Sequence, residues 1–371
     1  MDFYKSNVAF TSKLDSFQQN FIHTFVPNQK THRLSSITRI LVIRFSSIGD
    51  IVLTTPVIRA LKQQLEGEVE IHFLTKKKFA SLLEVNPYIH KIHTMDKTVQ
   101  EVLPTLEAAE FDYIIDLHKN IRTTIVKRRL KVLDFTFKKL NFQKWLWVNF
   151  GINRMPDKHI VERYMDTLKA FGVKDDGQGL DYFIPESAGL NWEELPAIFQ
   201  GKYIAFATGA MHIGKRISKE HIVEICKNSS LPIVLLGGKE DVETGRFIAE
   251  QCGNRVYDAT GKFSLHQSAD CLRKAEVVIS GDTGLMHIAS AFKRKIISLW
   301  GCTVPGFGMY PYRPHESSTI LEPKGRKRRP CSKLGNKCKY GNDHRCIEQI
   351  EVSEINSTLE SLINTTNPKH E

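Results

Sequence analysis

The chain has 371 residues, too many for one ordinary domain and suited to two of average size. Hydrophobic residues make up 41% and charged residues 25%, the composition of a soluble globular protein. No apolar run approaches the ~18–20 residues a membrane helix needs, and seven cysteines, an odd number, argue against a disulfide framework.

The formal charge is +11, and it is concentrated in two stretches. Residues 119–144 hold nine Lys and Arg against one Asp, and residues 324–339 hold eight with no acid. Such patches attract phosphate, whether in a nucleic acid, an anionic lipid or a phosphorylated glycan.

Residues 1–37 show no clear period and read as an N-terminal extension. They lack the apolar core of a signal peptide, so a cytoplasmic protein is expected. From Thr38 the pattern changes. Ile40–Phe45 is a short β-branched run, the signature of a strand buried on both faces. The small-residue turn Ser46-Ser47-Ile48-Gly49-Asp50 follows, then a helix from Pro56 to Leu65 with proline in its first turn. Val69–Thr75 and Asp112–Leu117 read as further strands, and His159–Phe171 as helical. Strands alternating with helices predict a parallel sheet over residues 38–172.

Residues 173–200, rich in Gly, Asp and Pro, read as a linker. The alternation restarts over 201–350. Tyr203–Thr208, Pro232–Leu236, Glu276–Ser280 and Lys295–Trp300 are predicted strands. Lys219–Lys227, Val242–Gln251, Leu265–Arg273 and Leu285–Phe292 are predicted helices. Residues 351–371 supply a last helix, Val352–Ile363, and a tail. The expected fold class is α/β: two Rossmann-like domains facing each other, with the ligand in the cleft at the carboxyl ends of the strands.

Several α/β chemistries are excluded by motif. No G-x-G-x-x-G follows a strand, and there is no G-x-x-x-x-G-K-[ST] and no G-x-S-x-G. No two Asp residues stand two apart, so the D-x-D that holds a divalent metal on many sugar nucleotides is missing. Two strand-end loops remain. In Ser46–Asp50 the small residues let the backbone approach a ligand. Asp50, where a helix begins, is either a general base or a helix cap. In Ser280–His287 a buried strand ends and a helix starts near Gly284, an arrangement whose free amides bind phosphate. His287 on the first turn either faces that ligand or is a satisfied buried histidine.

At these loops the sequence resembles glycosyltransferase family 9, the ADP-heptose:lipopolysaccharide heptosyltransferases. Residues 40–56, ILVIRFSSIGDIVLTTP, are similar to the family's opening strand and S-S-x-G-D motif. Residues 281–291, GDTGLMHIASA, are similar to its D-T-G-x-x-H-x-A-x-A motif. Further likeness runs through FDYIIDLHKNIR, HIVERY, GKRISKEHIVEI and LLGGKED. The resemblance implies a GT-B fold, an inverting reaction and no catalytic metal or cofactor. It implies transfer of heptose from ADP-L-glycero-D-manno-heptose to the lipopolysaccharide inner core. Asp50 then matches the general base. Lys215, Glu240, Asp282, Thr283, Gly284 and His287 match the donor site, and Ser47, Gly49, Asn120 and Arg122 fall where the acceptor binds.

The acceptor that the resemblance implies is a lipid glycan on the inner membrane. The stretch 127–149, which mixes cations with Trp145 and Trp147, either touches anionic lipid there, with Lys138, Lys139 and Lys144 facing the surface, or is an ordinary amphipathic helix and loop. No recognised nucleic-acid-binding motif is present, and no nucleic-acid partner is expected. Cys331, Cys338 and Cys346 with His344 form a cluster whose spacing is wide for a zinc ribbon; reduced thiols packing a loop are the favoured reading, and a structural metal is the alternative. Cys226, Cys252, Cys271 and Cys302 read as scattered.

Overall fold

The computed structural model describes residues 37–326, 328–341 and 345–365. The expected N-terminal extension lies outside the described residues except for Ile37, which opens the first strand, and His344 also lies outside them. From Thr38 onward the described residues form one compact unit.

The first half runs β1 Ile37–Ile43, α1 Ile48–Val52, α2 Thr55–Gln64, β2 Glu68–Lys76, β3 Lys91–Met95, α3 Leu103–Ala108, β4 Tyr113–Asp116, α4 Ile121–Leu130, β5 Leu133–Thr136, α5 Asn141–Phe150 and α6 Ile160–Met165. These strands form one sheet in the order β3-β2-β1-β4-β5, with β4 parallel to β1 and β5, and β2 parallel to β3. The second half runs β6 Ile204–Ala207, α7 Lys219–Lys227, β7 Ile233–Leu236, α8 Val242–Cys252, β8 Val256–Asp258, α9 Leu265–Lys274, β9 Val277–Gly281, α10 Gly284–Ala291, β10 Lys295–Leu299, β11 Thr319–Leu321 and α11 Val352–Asn364. Its sheet has the order β11-β10-β9-β6-β7-β8 and is parallel throughout.

The apolar runs of the sequence fill these sheets because helices cover both faces. On β1 the side chains alternate: Ile40 and Val42 enter one core cluster and Leu41 and Ile43 another, as the two-residue period of a strand requires. The first cluster also takes Ala205 and Val278 of the second sheet and Trp300 just beyond β10. The far face of the second sheet packs Phe206, Ile279 and Ile297 against Leu359 of α11.

Both sheets reverse their winding once. In the first, successive strands run outward on one side from β1 and on the other from β4; in the second the reversal lies between β6 and β9. Loops leaving the carboxyl ends of such neighbouring strands diverge and leave a crevice, the usual ligand position of an open α/β sheet. Every candidate site residue named above except Glu240 lies on a loop leaving β1, β4, β6 or β9, or on the first turn of the helix that loop enters.

Candidate active site

The loop after β1 places Asp50 on α1. Ser47 is the N-cap of this short helix, and Asp50 is its third residue, so Asp50 is not itself the cap. Asp50 Oδ2 accepts hydrogen bonds from the Ser47 amide at 3.0 Å and the Ser47 hydroxyl at 2.9 Å. Its Oδ1 lies 2.7 Å from Arg44 Nη2. Burial alone would raise the Asp50 carboxyl, but the Arg44 charge and the Ser47 bonds hold it below the usual carboxylate range. Arg44 is held in turn by the carbonyls of Ser46 and Leu117 and by the Tyr164 hydroxyl at 3.0 Å. The carboxylate is thus ionised and fixed in direction.

The Leu117 carbonyl belongs to the loop after β4, so Arg44 ties the two loops of the first sheet together. That loop carries Asn120 and Arg122. Asn120 caps α4, its Oδ1 accepting from the Thr123 amide at 3.0 Å, and Arg122 is half-buried. Burial, with the Arg44 charge adding, lowers His118 to about 3, so this ring is neutral.

In the second sheet, Lys215 lies on the turn Ile213–Lys215 beyond β6, and its ammonium sits 2.6 Å from Asp282 Oδ2, beyond β9. The same Asp282 oxygen accepts from the Thr303 hydroxyl at 3.1 Å. Thr283 caps α10, with its hydroxyl 2.9 Å from that of Ser280. Glu240 stands apart: it is exposed on the turn Lys239–Asp241 after β7, with no hydrogen bond or ion pair to Lys215 or Asp282 among the described residues.

The two halves meet where the two motifs touch. A Cβ built on Gly284 would lie 2.8 Å from Ile48 Cγ2, and one on Gly49 would lie 2.5 Å from His287 Cδ2. His287 is only 2% exposed, its Nδ1 has no hydrogen-bond partner, and burial lowers it to about 4. It therefore faces the seam with Gly49 as a neutral ring.

Sequence reasoning missed the cations that converge on the seam. Lys144 of α5 is 6% exposed, with its ammonium 5.3 Å from the Phe307 ring centre. Burial, with the Arg163 and Lys333 charges adding, lowers it to about 7. Lys139 donates to the carbonyls of His118 and Lys119 at 3.0 and 3.2 Å. Arg163 on α6 donates to the Phe307 carbonyl at 3.0 Å, but its Nε and Nη1 are buried without partners. Lys333 donates to Asn141 of α5 at 2.5 Å. This corrects the reading of Lys139 and Lys144 as membrane-facing: they turn inward beside the loop that follows β4. No local sequence signal separates a buried lysine from a solvated one in a basic run. Buried cations and unpartnered guanidinium donors suit an anionic ligand.

The family model of glycosyltransferase family 9 (heptosyltransferase) matches residues 99–338. The chain belongs to this family. Among curated relatives, a lipopolysaccharide heptosyltransferase 1 of Campylobacter coli is 25% identical over 289 residues, 71% of this chain and 84% of its own. The corresponding Escherichia coli K12 enzyme is also 25% identical, over 72% of this chain and 89% of its own. In fold, this family 9 chain matches a family 9 glycosyltransferase from Veillonella parvula with a TM-score of 0.72 at 22% identity, over 91% of this chain and 100% of that one. An E. coli ADP-heptose heptosyltransferase II matches with a TM-score of 0.68 at 20% identity, over 88% and 98%. The architecture is GT-B, as the resemblance implied.

Proposed function

We propose that this family 9 member is an inverting, metal-independent transferase that moves heptose from ADP-L-glycero-D-manno-heptose to the lipopolysaccharide inner core, with Asp50 as the general base. The observation that carries the reading is the apposition of the two motif loops, with an ionised carboxylate on one side and Lys215 with the start of α10 on the other. The named relatives transfer heptose to lipopolysaccharide, which supports the same donor and acceptor class here.

In this mechanism the second sheet holds the nucleotide diphosphate. Lys215 and the amides at Thr283–Gly284 offset the negative charge that grows on the leaving group. Asp282 keeps Lys215 placed before the donor arrives. The absence of D-x-D from the sequence supports assigning this task to cations and amides. Asp50, held by Arg44 and Ser47, takes the proton of the acceptor hydroxyl as that oxygen attacks the anomeric carbon. A single displacement inverts the configuration. Arg122, Lys139, Lys144 and Arg163 would receive the anionic groups of the acceptor, and Glu240 the nucleoside.

The protein would meet its acceptor as a peripheral protein on the cytoplasmic face of the inner membrane. No helix among the described residues is long and apolar enough to cross a membrane. The outer face of α5 exposes Phe142 by 64%, Trp145 by 50% and Phe150 by 62%, an aromatic surface suited to the lipid interface. Mass spectrometry of a truncated lipopolysaccharide acceptor after incubation with ADP-heptose and enzyme tests the function. A product heavier by one heptose supports it, and no product with an active-site-intact enzyme refutes it.

A further inference from the structure

The loop leaving β10 carries Cys302, and the long loop between β11 and α11 carries Cys331, Cys338 and Cys346. Cys302 is therefore not scattered, as its sequence position suggested. Cys302, Cys331 and Cys346 are buried free thiols whose Sγ atoms all lie within 4.8 Å of one another. The Cys302 and Cys346 sulfurs are 4.0 Å apart. A disulfide would need about 2.05 Å. A tetrahedral thiolate site with metal–sulfur bonds of about 2.3 Å spaces its sulfurs about 3.8 Å apart.

The backbone around the thiols is fixed. The Cys331 amide donates to the Cys302 carbonyl at 2.9 Å, the Cys302 amide to Gly214 at 3.1 Å, and the Gly214 amide to Gly335 at 3.0 Å. Arg329 gathers the carbonyls of Trp300, Gly301 and Thr303. The Tyr340 amide donates to Cys338 Sγ at 3.4 Å, the type of outer bond that orients a ligand sulfur.

We propose that Cys302, Cys331 and Cys346 are ligands of a structural thiophilic metal ion, zinc(II) or iron(II), with Cys338 of the same loop completing a four-thiolate set. Binding replaces each S–H bond with a metal–sulfur bond and releases the protons to solvent, with no oxidation or reduction. The resulting site is anionic. Residues 324–339, with eight Lys and Arg and no acid, hold two of the four thiols, Cys331 and Cys338, and supply the opposing charge. The ion would brace the floor of the donor site. A Cβ on Gly214 would lie 2.7 Å from Cys302 Sγ, and Gly214 directly precedes Lys215. The same loop reaches α5, where Lys333 bonds Asn141 and Lys339 bonds the Val148 carbonyl. The metal takes no part in the transfer.

The test is elemental analysis of the full chain, purified without a histidine tag under reductant after growth with zinc and iron supplied. About one zinc or iron per chain is expected, and the analysis tells the two apart. A thiol-capping mercurial should release that metal to an indicator dye in proportion to the thiols it caps. Cys302→Ser and Cys346→Ser should each lose the metal, whereas Cys271→Ser, altered at a distant buried thiol, should retain it. If the serine variants do not fold, the mercurial titration of the unaltered protein still decides. Metal well below one per chain after anaerobic reconstitution with both ions overturns the proposal. So does a Cys302–Cys346 disulfide found by mass spectrometry of the protein as isolated, or full metal retention in Cys302→Ser.

Discussion

Gly49 and His287 are 238 positions apart in sequence, yet the glycine backbone passes so close to the imidazole that no side chain fits between them. A Cβ at position 49 would lie 2.5 Å from His287 Cδ2 and 3.3 Å from Gly284 Cα. Both neighbours are held by the packed start of α10, so neither yields easily. Gly49→Ala should force the two motif loops apart. Overpacking of this type costs typically about 1–3 kcal/mol. The expected outcome is a lower melting temperature together with a lower kcat, because the carboxylate and the donor no longer close to the same distance. Thermal denaturation and steady-state kinetics on the variant check it; wild-type values for both would mean the loops separate freely in solution.

Lys215→Ala should weaken binding of ADP more than binding of adenosine, since only ADP carries phosphates. A charge-assisted hydrogen bond contributes roughly 1.5–3 kcal/mol. Calorimetry with the two ligands measures the difference. Equal losses for both would remove Lys215 from the phosphate role and leave it as the partner of Asp282.

The seven strands expected from sequence are the seven interior strands of the two sheets, and the four not foreseen, β3, β5, β8 and β11, are the four sheet edges. Interior parallel strands are buried on both faces and read as continuous apolar runs, as in β6 and β9. An edge strand keeps exposed positions, as Leu133 and Asp134 of β5 show, and its sequence resembles a loop. The site divides in the same way. Asp50, Asp282 and His287 follow strands that announce themselves, so spacing singled out their loops, whereas Lys215 was named only through the family resemblance. Arg44, Lys144, Arg163 and Lys333 matter through contacts between distant segments, which spacing does not report.

Lys144 gives a pH dependence with a definite sign. Burial lowers its ammonium in the folded protein to about 7, from an ordinary value of 10.5. Between those values the unfolded chain binds the proton and the folded chain does not, so stability rises with pH across this window. Below about 7 both states are protonated and the full burial penalty stands. Lys144→Met removes the titration. Its melting temperature should exceed that of wild type at pH 6.5, with the advantage shrinking toward pH 10. Parallel melting curves across the range would show that Lys144 remains charged in the fold. Bound phosphate should narrow the gap by favouring the ammonium.

If the protein meets a lipid surface as proposed, the exposed aromatics of α5 rather than the inward-turned Lys139 and Lys144 are the groups that would touch it. Phe142 and Trp145 stack with ring centres 6.0 Å apart, and Trp145 meets Phe150 at 5.2 Å, all on the exposed face of α5. Trp147, on the other face, packs on Phe307. Phe142→Ser with Trp145→Ser should lower sedimentation with anionic vesicles and leave turnover of a soluble acceptor fragment nearly intact. Vesicle binding equal to wild type would assign the patch to something other than a membrane.

Asp50→Asn separates a catalytic base from a structural carboxylate, although less simply than a helix cap would allow. Asn keeps an oxygen able to accept from the Ser47 amide and hydroxyl. It removes the charge opposite Arg44, whose side chain is mostly buried, so some stability is lost even if no chemistry depends on Asp50. Activity must therefore be compared well below the melting temperature of the variant, with ADP binding confirming an intact donor site. If Asp50 serves only Arg44, a folded, ADP-binding variant should turn over within a few-fold of wild type. If it is the base, turnover should fall by about 10²–10⁴-fold with ADP affinity nearly unchanged. The acid limb of the wild-type profile supplies a second reading. Because Asp50 is held below the ordinary carboxylate range, kcat/KM should show no acid-side loss from this group within that range. An acid limb near pH 6, unchanged by Asp50→Asn, would place the proton acceptor on another residue.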